Sequence, residues 1–173
     1  MSDIMHFDMM SNKWPQWEAI ADSRLKSLIR KARSFKTLAK HGPVEGWKVS
    51  VAIVGSAVIK KLNTVYRGKM AETDVLSFPA HGIFRQSGYL GDIIICLPVL
   101  KRQAKLLGHA ATDELDVLLV HGLLHLLGLD HVKGLAGART MAGWEERILN
   151  KRGRRSARTA AGLIKQAYSG KRG

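Results

Sequence analysis

Between Asp113 and Leu127 the chain is apolar nearly all the way round a helix, through Leu115, Val117, Leu118, Leu119, Val120, Leu123, Leu124 and Leu126. A helix of that kind has to be enclosed by other elements, so the fold must be built around it. Thr112 is placed to cap it. Asp113 and Glu114 put negative charge in the first turn, where the helix dipole favours it. Across the end of this segment the sequence sets three histidines, in His121-Gly122-Leu123-Leu124-His125-Leu126-Leu127-Gly128-Leu129-Asp130-His131. With seven histidines in 173 residues, composition alone puts fewer than one in such a window.

His121 and His125, four apart on a helix, project from one face and can share a metal ion. Gly128 can take the left-handed conformation that ends a helix, after which the chain can bring His131 back as a third ligand. Three imidazoles leave a fourth position open, as a catalytic zinc requires. The competing reading is three buried histidines satisfied by hydrogen bonds, each needing a partner in the most apolar part of the chain. Gly122 favours a special site, because glycine inside a helix costs about 1 kcal/mol relative to alanine. A close backbone approach would explain that cost. Asp130 either orients an imidazole from behind or caps the loop. The spacing also suits a zinc protease helix, but those carry Glu after the first His, and here that position is Gly122. Glu114 stands two turns upstream, so proteolysis by that route is disfavoured.

Around the central helix the pattern predicts an α+β domain, a small mixed sheet with about five helices. An amphipathic helix runs from Gln16 to Lys40 behind Trp14-Pro15, with Trp17, Ile20, Ala21, Leu25, Leu28, Ile29 and Ala32 as its apolar stripe. Trp47 to Val54 alternates as a strand, with Val49, Val51 and Ile53 on one face. Ser56 caps a helix from Ala57 to Tyr66 that Gly68 closes. Val75 to Phe78, stopped by Pro79, and Leu90 to Cys96 read as strands. Pro98 opens a helix to Gly108. A last helix, Met141 to Lys151, follows a glycine-rich loop. The metal is expected in a cleft between that loop and the end of the central helix. The chain divides into an N-terminal segment (1–46) that belongs to the domain, a core (47–150) and a basic extension (151–173).

Lys and Arg number 28 against 14 Asp and Glu, a net charge of +14, which attracts polyanions. The extension carries +8 of it and no acid. Arg152, Arg154, Arg155 and Arg158 are therefore candidates for sequence-independent RNA contact; the plainer reading is a solvated tail. The single cysteine, Cys96, excludes a disulfide scaffold or a Cys-rich zinc module and reads as an inert buried thiol. No apolar run reaches spanning length, and the N-terminus has no export pattern. The expected location is the cytoplasm, or an organelle matrix if a transit peptide was removed.

Taken with three further blocks, the histidine segment resembles the signature of the YbeY family, endoribonucleases of ribosomal RNA maturation. The blocks are Leu62-Asn63-Thr64-Val65-Tyr66-Arg67, Thr73-Asp74-Val75-Leu76-Ser77-Phe78-Pro79 and Leu90-Gly91-Asp92-Ile93. Glu114, Met141 and Glu145 also stand where the family has them, whereas Leu129 replaces the usual tyrosine. The resemblance covers about residues 47–150. It implies one zinc, or another transition metal, on His121, His125 and His131. It also implies that Arg67 and His121 are catalytic. Alone, Arg67 reads as a surface residue at a helix C-terminus. Ser77 is a candidate neighbour of the site; with Asp74 it could equally belong to a capped turn. Tyr66 and Phe78 read as core aromatics rather than base-stacking rings.

The expected activity is single-strand-specific, metal-dependent RNA cleavage in 16S-type rRNA 3′-end maturation and ribosome quality control. The implied partners are rRNA and the small ribosomal subunit, with its proteins and assembly GTPases. The alternatives are a metallohydrolase of another class, protease or amidohydrolase, and a non-catalytic assembly factor with a structural zinc.

Overall fold

Buried β-branched runs and one enclosed helix determine the architecture. The computed structural model describes residues 13–129 and 134–150. The order is α1 (Pro15–Ser34), α2 (Lys36–Ala39), β1 (Lys48–Val54), α3 (Ser56–Arg67), β2 (Val75–Pro79), α4 (Gly82–Gln86), β3 (Tyr89–Cys96), α5 (Leu97–Leu107), α6 (Ala111–Leu126) and α7 (Gly134–Leu149). It is α+β, with five long helices, two of about one turn, and a mixed sheet ordered β1-β3-β2. β3 runs parallel to β1 (Val51 opposite Ile93) and antiparallel to β2 (Ser77 opposite Ile93).

Alternation along β3 divides the core in two. Ile93 and Ile95 join Ile53, Leu25 of α1 and Leu115, Leu118, Leu119 and Leu123 of α6. Ile94 and Cys96 turn the other way, to Ile59 and Leu62 of α3. The sheet thus carries α6 on one face and α3 on the other. A salt bridge at 2.6 Å between Arg24 and Asp116 joins α1 to α6.

Several expected boundaries change. The Gln16–Lys40 helix breaks at Phe35, which is extended (φ −82°, ψ 104°) and packs its ring edge-on against Trp144 at 5.6 Å. α3 starts at Ser56 itself, behind Gly55, and α6 at Ala111, so neither Ser56 nor Thr112 caps its helix. Pro79 ends β2 from within, as an edge strand allows for a residue with no N–H to donate. The segment expected as a glycine-rich loop is helical from Gly134 onward; its alanines offset its glycines. α4 has no counterpart in the sequence reading. Gly68 (φ 65°), Gly108 (φ 67°) and Gly128 (φ 82°) close their helices left-handed as expected.

Candidate functional site

The site begins with a helix interior where the neighbouring strand crowds any side chain. A Cβ on Gly122 would stand 2.9 Å from Ile93 Cδ1. α6 therefore lies against β3 at the point where its first histidine projects. His121 and His125 share a face, with ring centroids 4.6 Å apart and planes at 72°. Their Nε2 atoms stand 3.0 Å apart. Behind His121, Nδ1 donates to Glu145 Oε1 at 2.7 Å, and both side chains are buried. That bond leaves the Nε2 of His121 facing forward, toward the Nε2 of His125.

This arrangement fits a metal ion. Two zinc–nitrogen bonds of tetrahedral geometry would hold their nitrogens about 3.3 Å apart, close to the observed separation. A carboxylate on the far nitrogen is the support such ligands receive. Among the described residues no set of three His, Cys, Asp or Glu side chains is arranged to hold an ion. His131, the expected third ligand, and Asp130 lie outside the described residues, as do Arg152, Arg154, Arg155 and Arg158.

Glu145 was missed as the histidine's support; the sequence reading offered Asp130, as an alternative to a loop cap, for such a role. The signal was present: with Met141 and Ile148 it forms a buried i, i+4, i+7 face, unusual for a carboxylate. Glu114 is fully buried, with Oε2 2.6 Å from His109 Nε2.

Arg67 is exposed at the end of α3 and, among the described residues, makes no ion pair or hydrogen bond. Two contacts locate it. The neighbouring Tyr66 ring meets Phe78 at 5.1 Å, at the Pro79 end of β2. From the loop just beyond, Arg85 Nη1 donates to Leu126 O at 2.9 Å, beside His125. The C-terminal end of α3 and the last turn of α6 are thus both brought toward the Pro79 end of β2, α3 on one face of the sheet and α6 on the other. Tyr66 is not a core aromatic: it is 51% exposed.

Ser77 lies opposite Ile93, hence on the α6 face beneath Gly122. Asp74 is buried at the start of β2. Its Oδ1 accepts Val75 N–H at 2.8 Å and its Oδ2 accepts Gln103 Nε2 at 3.1 Å. Cys96 is fully buried, and burial pushes its thiol pKa up.

A family model described as endoribonuclease YbeY matches residues 9–153. The chain belongs to this family. A YbeY endoribonuclease of Roseiflexus castenholzii is 40% identical over 141 residues, covering 78% of this chain and 86% of that one. One from Moorella thermoacetica is 47% identical over 111 residues, covering 59% and 70%. Another, from Geobacillus thermodenitrificans, is 41% identical over 138 residues, covering 75% and 85%. The YbeY match takes in every described site residue, from Arg67 through the histidine pair to Glu145. Among the described residues no helix is long and apolar enough to cross a membrane.

Proposed function

We propose that this chain is a metal-dependent endoribonuclease that cuts single-stranded RNA, and that its work is 16S-type rRNA 3′-end maturation and ribosome quality control. The observation that carries the reading is the pair of imidazole nitrogens, 3.0 Å apart, one of them on a buried ring backed by Glu145, in a chain of an endoribonuclease family. His121, His125 and His131 hold one zinc ion. When bound, it supplies Lewis acidity to the scissile phosphate or the attacking water.

The chain's own residues do the rest. Glu145 keeps His121 in the tautomer that offers Nε2. Arg67 stabilises the charge that builds on the phosphoryl oxygens. The extension from Lys151 contacts rRNA phosphates without reading sequence, so that the small subunit, with its proteins and assembly GTPases, is the docking partner.

The test is RNA cleavage by protein stripped of metal, by the same protein reloaded with zinc, and by Arg67→Ala. Stripping should abolish cleavage and zinc should restore it. Arg67→Ala should lower kcat by about 10²–10³ with folding intact, the usual loss for one charge-stabilising donor. Full cleavage by metal-free protein overturns the reading.

A further inference from the structure

The loop between β2 and β3 holds two large apolar side chains for which the fold has no use. Ile83 is 75% exposed and Phe84 is 50% exposed, and neither belongs to either core cluster. Their loop is nonetheless built rigidly. Ser87 N–H donates to Ile83 O at 3.0 Å and Ser87 Oγ to Phe84 O at 2.8 Å. Ala80 N–H donates to Leu90 O at 2.8 Å, and Lys48 N–H donates to Gly88 O at 2.8 Å. Arg85 then fixes the loop to the site. Its guanidinium donates to Leu126 O at 2.9 Å and to His41 O at 3.2 Å. The residue next to Phe84 is thus bonded to the turn that carries His125. A half-exposed aromatic outside the core clusters, beside an exposed isoleucine and held in place next to the histidine helix, is available to a ligand.

We infer that Phe84 is a stacking platform for an unpaired base flanking the scissile phosphate, with Ile83 widening the apolar surface beneath it. The inference rests on the ribonuclease reading and adds to it a reason for single-strand preference. Every base has a π-face that an aromatic ring can hold, but only an unpaired base can leave its stack to use one. The chain's net charge of +14 favours RNA over a protein partner of like charge. Tyr66, the other half-exposed aromatic, differs in that its ring is already engaged by Phe78.

The experiment uses an unstructured RNA oligomer containing 2-aminopurine, whose fluorescence is quenched on stacking. Binding is read in EDTA and cleavage with zinc. Phe84→Leu should lose the quench and weaken Kd and KM by at least about fivefold, the low end of one base–aromatic stack, while kcat and bound zinc stay unchanged. Phe84→Trp should restore both, and Tyr66→Leu should leave the quench intact. Equal quenching by the wild-type protein and Phe84→Leu, or a fall in kcat alone, overturns the platform. Wild-type protein that cleaves no RNA overturns the ribonuclease reading, and the platform with it.

Discussion

Ile93 leaves no room above it for a side chain on α6. Alanine at position 122 would be the better helix former by about 1 kcal/mol, yet its Cβ would meet three atoms of a fully buried isoleucine at 2.9–3.1 Å. Overpacking of that kind costs about 1–3 kcal/mol. Gly122→Ala should therefore lower the urea midpoint, and a raised midpoint would show that β3 gives way. Glu145 invites a different substitution. Glu145→Gln keeps its size and removes the charge behind His121, so zinc affinity measured against a competing chelator should fall about 10–100-fold. The thermal unfolding of the metal-free protein should change far less. Unaltered zinc affinity would mean that the carboxylate only fills space.

At the level of elements, Arg85 ties α4 to Leu126 O at the end of α6 and to His41 O in the turn after α2. Arg85→Met keeps the stem and loses both bonds. Amide hydrogens of Gly128 and Leu129, which donate to His125 O and Leu124 O, should then exchange faster while the middle of α6 stays protected. Equal exchange would mean that the turn holds itself. The long elements were legible because periodicity is a property of many residues together. So were the histidine pair and Gly122, since spacing and a misplaced glycine are local signals. What was not legible depended on single long-range contacts. The break at Phe35 follows from a ring more than a hundred residues away, at Trp144. Glu145 became the histidine's support only when α7 folded back against α6, and α4 exists because Arg85 finds carbonyls on two other elements. Tyr66 was misjudged because α3 turns one side to the sheet and Tyr66 stands near the edge of that side, half out.

For the molecule as a whole, charge is unevenly placed, with +8 of the +14 in residues 151–173. Truncation after Lys151 should weaken RNA binding and flatten its dependence on salt, because each phosphate contact removed takes its released counterion with it. Zinc content should not change. An unaltered salt slope would assign the extension to solubility alone. The sheet adds a mechanical condition. α3, which ends in Arg67, and α6, which carries the histidine pair, lie on its two faces, with β2, a strand five residues long, at its edge. On the ribonuclease reading, an RNA held by both would have to bend over that edge. A duplex is stiff, double-stranded DNA resisting bending over about 50 nm, whereas a single strand turns within its own backbone. On that reading stiffness favours the single strand, before any base or phosphate is recognised.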